Sequence, residues 1–310
     1  MKTRKDRRMA EQTKTGKRKK KFTIVPYLFI APNFIGFLIF ILLPVLVSLV
    51  VAFTDFNIFK GLEGSKFVGI KNFTDMFNDV WFRAALKNNV IYTLGTIPAL
   101  ICGSIVLAAV LNDKVFCKTV LRVMIFIPYI SSVVAVSSVW ILILNPSQGI
   151  LNNLLRSIGI TDPPGWLGDP HWALAAMIII GIWLGLGYNT IIYMSGLQSV
   201  PQDLYEAARI DGASGIQIFF RVTVPMLQNT TFFLLITNII SSFQVFGQIN
   251  IMTNGGPGTA TTVLAHYIYR AGFSYHKMGY ASAMAWFLLM IIFLVTVFQW
   301  KFQKKHEDDM

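Results

Sequence analysis

Two cysteines in 310 residues, and charge on only 14% of them, are the first scarcities of this sequence. Cys102 and Cys117 have neither metal-ligand spacing nor the form of a redox pair, so no disulfide framework or zinc site is indicated and both are expected to be packing residues. Also missing is GxxxxGK[ST], the loop that cradles nucleotide phosphates; the one Gly-Lys pair, Gly16-Lys17, has no flanking strand or helix. No catalytic constellation takes its place. His171, His266, His276 and His306 are scattered through loops and the tail and are expected to be solvated, and no metal or cofactor is implied. Acids are absent from the long apolar runs, which leaves a proton-relay carrier without machinery.

What remains is hydrophobicity. At 54% apolar residues and a mean hydropathy of +0.57, the chain is too apolar for a water-facing surface and reads as a membrane protein. The net charge of +12 lies largely in one run, MKTRKDRRMAEQTKTGKRKKK, directly before an apolar segment, which fits a membrane flank better than nucleic-acid binding. A bilayer core about 30 Å thick needs roughly 20 apolar helical residues. Six stretches satisfy it, near Pro26 to Phe53, Asn89 to Leu111, Val120 to Leu144, Trp172 to Leu197, Gln228 to Met252 and Met278 to Trp300. Their length makes them helices, and the first reads as an uncleaved signal anchor, its apolar run being too long for a signal peptide.

Lysine and arginine bias sets the orientation. With both termini inside, 19 of the 27 basic residues fall on the inner side, including Lys114, Lys118, Arg122, Arg209 and Arg221. The loop Asp55 to Lys87 carries five basic residues but also Glu63, Asp75 and Asp79, and reads as a short folded outer segment. NPSQGILNNLLRSIGITDPPGW is expected to hold a surface helix at the outer face, and TNGGPGTATT a turn. The domain plan is a basic inner tail (1–21), the first span with its outer segment (22–83), a transmembrane core (84–302) that contains an inner hairpin (201–225), and an inner tail (303–310).

EAARIDGASGIQIFF, Glu206 to Phe220, is the charged exception between two apolar spans. Pro201 suits a first helical turn, and Asp203 and Glu206 complement its positive end. Gly212 after Asp211 predicts the stop, and Ser214 a cap for a second helix running toward Pro225. Ala207 and Ala208 leave room for another backbone, with Glu206 and Arg209 at the edges. Two readings stand at this point: a docking surface, or an amphipathic helix in the headgroups.

EAARIDGASGIQIFFRVTVP resembles the EAA loop of type I ABC importer permeases: Glu-Ala-Ala, three residues, Gly, nine residues, Ile-x-Leu-Pro. Glu206, Ala207, Ala208, Gly212 and Pro225 match, with Val222 and Val224 as conservative replacements. The resemblance extends over nearly the whole chain after the tail, through APNFIGFLIFILLPVLVSLVVAFTDF, FVGIKNFTDMF, FIPYISSVVAVSSVW, LNPSQGILNNLL and TNGGPGTATTVLAHYIYRAGF, and is strongest to sugar-type importers related to the larger maltose permease subunit. It implies an all-α fold with six transmembrane helices, both termini inside, and a coupling helix formed by Glu206, Ala207, Ala208, Arg209, Asp211 and Gly212. It also implies partners: a second homologous permease, two ATP-binding cassette ATPases, and an extracytoplasmic solute-binding protein, all at the cytoplasmic (inner) membrane. The large outer insertion of the maltose subunit is missing here.

Polar residues inside spans mark a path for solute. Thr237, Ser241, Gln244 and Gln248 have the spacing of one helical face, with Asn238 and Ser242 alongside, either as a neutral lining for a sugar or as interhelical glue. By resemblance Leu184, Gly185 and Tyr188 of GIWLGLGYN match sugar-site positions, whereas Ile182 replaces a polar residue. Pro128, Ser131 and Ser132 predict a kink in the third span. A sugar, expected to be an oligosaccharide, is the implied cargo; a glycerol phosphodiester importer and a membrane scaffold are the alternatives.

Overall fold

The computed structural model describes residues 25–308 apart from 60, 62 and 113–115, with side chains from Leu28 to Gln303. The basic tail 1–21, Gly16-Lys17, Lys114 and the side chain of His306 lie outside the described residues. Contacts divide the chain into a unit ending at Ser48 and a unit beginning at Leu49.

The first unit carries most of α1 (Leu28–Ala52), which has a mean hydropathy of 3.0 and includes a π-helical stretch at Leu38–Leu42. The second unit is helical throughout, with β pairing among the described residues confined to the isolated bridges Thr54–Phe67 and Asn57–Lys277. In it α2 (Lys71–Asn78) leads into α3 (Val80–Asn112), which starts where the Asp79 carboxylate accepts the Trp81 N–H at 2.8 Å. At 1.5 Å per residue α3 is about 50 Å long, so it overreaches the hydrocarbon core and carries Arg83 and Lys87 in the surplus turns.

The third span is broken, not kinked: α4 (Lys118–Ile130) and α5 (Val133–Ile143) meet at 99°. Pro128 has no N–H to give the ladder, and Ser131 closes the end of α4 with its backbone N–H and hydroxyl both on the Ile127 carbonyl (3.1 and 2.7 Å). After α6 (Ile150–Ser157) come α7 (Ala173–Gln198), the hairpin helices α8 (Gln202–Ile210) and α9 (Gly215–Ile218), then α10 (Gln228–Phe243), α11 (Gly247–Met252), α12 (Leu264–Tyr269) and α13 (Met278–Asp308). Helix thus continues through most of the expected C-terminal tail.

Glycines let α7 approach its neighbours. A Cβ on Gly187 would lie 2.8 Å from Phe126 Cα of α4, and one on Gly185 would press Leu100 of α3 at 3.1 Å. Buried polar groups tie α3 to the last third of the chain. Asn89 donates to Ser242 O (3.0 Å) and accepts the Leu264 N–H (2.8 Å), while Asn88 donates to Thr259 O and Thr262 O. TNGGPGTATT is therefore a turn folded onto the bundle, with Thr261 and Thr262 buried.

Two sequence expectations are corrected. Cys102 and Cys117 are exposed rather than packed. His266 is fully buried rather than solvated, because the turn closes over it and Asn254 Oδ1 lies 3.2 Å from its Nε2. Burial, with Arg270 nearby, pushes its pKa down to about 4, so the ring is neutral at pH 7.

Candidate functional site

Halfway along the spans of the second unit lies a cavity of about 350 Å³. Helix α7 contributes Leu184, Gly185, Tyr188 and Asn189; α10 contributes Thr237, Asn238, Ser241 and Ser242. Tyr92 and Thr96 of α3, Tyr129 of α4 and Gln248 of α11 complete its polar and aromatic wall. No charged side chain is among the described residues that line it.

Hydrogen bonds fix this wall. Asn238 Nδ2 donates to Asn189 Oδ1 at 2.6 Å and to Leu234 O at 2.7 Å, and Asn189 Nδ2 donates to Gly185 O at 2.9 Å, so the two amides clasp α10 to α7. The Ser242 and Thr93 hydroxyls are 2.9 Å apart, joining α10 to α3. Gln248 Nε2 donates to the Tyr92 hydroxyl at 2.7 Å. Tyr129 and Tyr188 stack, with ring centroids 4.8 Å apart and planes at 19°. The amides act as glue while facing the cavity, so lining and packing are two functions of the same side chains.

The four-residue face expected on the fifth span does not exist as one face. Helix α10 stops at Phe243; Gln244 is exposed and outside the lining, and Gln248 reaches the cavity from α11. In an unbroken helix Ser242 O would accept the Phe246 N–H; here it accepts from Asn89 instead, which satisfies the carbonyl that the break frees. Sequence reasoning missed Tyr92, Thr96, Tyr129 and Asn189. A polar residue within an apolar span was the available signal for each.

At one end of the bundle the hairpin has the stop that the glycine requires. Gly212 adopts φ +75°, the Ala213 N–H reaches back to Ala208 O at 3.0 Å, and Ser214 and Gln217 form a reciprocal capping box. Glu206, Ala207, Arg209, Asp211 and Gly212 are exposed and Ala208 is half-buried. Ile210, Ile216 and Phe220 expose 86%, 73% and 64% of their surface, an apolar crest on a polar loop. A second cavity of about 350 Å³ lies between the hairpin and the end of α3, lined by Ala109 and Asn112 of α3 and by Tyr205, Arg209 and Thr223.

Apolar helices long enough to span a bilayer, a neutral cavity at their middle and an exposed hairpin at one end define a multi-pass membrane transport subunit. Residues 77–306 match the family model of the binding-protein-dependent transport system inner membrane component, and the chain belongs to that family. It is 36% identical over 289 residues to the probable ABC transporter permease protein YurN of Bacillus subtilis (strain 168), covering 92% of this chain and 98% of that protein. The lactose transport system permease protein LacF of Rhizobium radiobacter is 35% identical, covering 91% of this chain and 94% of that one. Among solved structures, a bacterial ABC transporter involved in the import of the acidic polysaccharide alginate superposes with a TM-score of 0.79 at 27% identity, covering 91% of this chain and 95% of that one.

Proposed function

We propose that the chain is a permease subunit of an ABC importer that carries a neutral sugar, in the size range of an oligosaccharide, across the cytoplasmic membrane. The observation that carries this reading is the mid-span cavity: amides and hydroxyls for sugar hydroxyl groups, the Tyr129–Tyr188 stack for C–H faces, and no charge among the described residues of the wall. A phosphorylated or carboxylated cargo would want cations there, which disfavours the glycerol phosphodiester alternative although a relative is named as a glycerol-3-phosphate permease. In this reading both termini are inside, and the hairpin bearing Glu206, Ala207, Ala208, Arg209, Asp211 and Gly212 is the coupling helix that receives motion from an ATPase. The remaining partners are a second homologous permease, a second ATPase copy and an extracytoplasmic binding protein. Alternating access then follows from rigid-body movement around a fixed site near the bilayer midplane.

The test is ATP-dependent uptake in proteoliposomes containing the co-purified complex and its binding protein. Labelled neutral oligosaccharides should enter and glycerol 3-phosphate and uronate oligomers should not. Uptake of the anions alone would refute the neutral cargo, and uptake without any ATPase would refute the importer.

A further inference from the structure

The short helix α6 has two unlike sides, and only one of them is engaged. Asn152 is buried, donating to Pro146 O and Pro164 O and accepting the Trp166 indole N–H. Arg156 donates to Pro146 O, Ser147 O and Asn153 Oδ1, so its guanidinium folds back over its own turn. Leu151 packs into the cluster that contains Trp140 and Leu144 of the third span. These contacts fix the rotation of the helix about its axis. They leave Ile150, Leu154 and Ile158 aligned at i, i+4 and i+8 on the other side, exposed by 72%, 58% and 69%.

Three features say what covers that stripe. Six residues separate the end of α5 at Ile143 from Ile150, and the segment runs on into α7 at Ala173, so α6 lies at the height where two spans leave the hydrocarbon. Leu142 and Val139 of α5 are themselves 71% and 54% exposed, so the apolar surface of the span continues onto the helix that packs against it. Trp166 and Trp172 meet edge-to-face beside it, and indoles concentrate at the level of lipid headgroups. We infer that α6 is an in-plane membrane helix whose Ile150, Leu154 and Ile158 enter the headgroup–acyl boundary, at the end of the bundle opposite the hairpin.

Its partner is the bilayer surface, and a protein partner is the competing occupant. The experiment places a nitroxide at position 150, 154, 158 or 153 by single cysteine substitution in a Cys102→Ser, Cys117→Ser background. The full-length chain, with its co-eluting subunits, is inserted in nanodiscs of phosphatidylethanolamine and phosphatidylglycerol. Power saturation should show oxygen accessibility severalfold above that of the water-soluble nickel chelate at 150, 154 and 158, and the reverse at 153. Chelate accessibility equal to or above that of oxygen at the three apolar positions would overturn the assignment to lipid. Low accessibility to both reagents there would overturn it equally, by showing a protein cover. Because all four sites are exposed, the labels need not disturb the core.

Discussion

Gly187→Ala tests whether one absent methyl group sets the crossing of α4 and α7. A Cβ on Gly187 lies 2.8 Å from the Ile125 carbonyl carbon and 2.8 Å from Phe126 Cα, and closer still to the Ile125 oxygen. These are backbone atoms of a helix, so no rotamer change relieves the contact. Restoring carbon–carbon distances of about 3.5–4 Å requires the helices to part by roughly 1 Å. Overpacking of this kind costs about 1–3 kcal/mol. The displacement also reaches the cavity, because Tyr188 is next in sequence and stacks on Tyr129, one turn beyond Ile125. The purified variant should therefore unfold at lower temperature in detergent and take up cargo more slowly in proteoliposomes. Gly168→Ala is the control, since nothing lies within 4 Å of its Cβ. An unfolding midpoint and uptake rate shared by Gly187→Ala, Gly168→Ala and the unaltered protein would refute the reasoning.

Gly212→Pro cannot keep φ at +75°, and Gly212 and Ala207 are exposed; this variant, or Ala207→Trp, should insert into the membrane yet lose uptake, measured as transport per inserted protein. Tyr92→Phe leaves the Gln248 amide without its 2.7 Å acceptor and should cost about 0.6–2 kcal/mol; adding Gln248→Leu should recover part of it in a double-mutant cycle of thermal stability. At Asp79 burial raises the carboxyl pKa, but hydrogen bonds from Tyr267, Tyr280 and the Trp81 and Phe82 backbone outweigh it, and the net shift is downward. A depressed carboxyl stabilises above its unfolded pKa of about 3.9 and loses that contribution as pH falls through the folded value. The stability gap between the unaltered protein and Asp79→Asn should accordingly be full at pH 7 and close below about pH 4, read as the difference in unfolding midpoint.

The hairpin was the most legible part of the site, because its instructions are local. Pro201, the glycine at 212 and Ser214 each act within four residues, and the chain bends and caps where they predict. Hydropathy located the spans for the same reason: the cost of backbone in lipid is met inside each helix. The cavity was only half legible. Tyr188, Asn238 and Ser241 announced themselves as aromatic or polar groups in apolar runs and Leu184 entered only through resemblance, but Gln244 carried the same polar signal and points elsewhere. No proline marks the break in the fifth span, Gly247 alone stands beside it, and the group that donates to the freed Ser242 carbonyl is Asn89, 153 positions away.

Sequence alone determined that this chain is a bundle of membrane helices with a charged hairpin at one end, because burial of apolar length and the conformational limits of proline and glycine are properties of short segments. Only the tertiary structure decided which polar residues share a cavity. Tyr92 and Gln248 meet across 156 positions, and that meeting depends on two broken helices and on glycines that let backbones touch. Such contacts arise from how helices cross, and a linear pattern of residues does not encode a crossing.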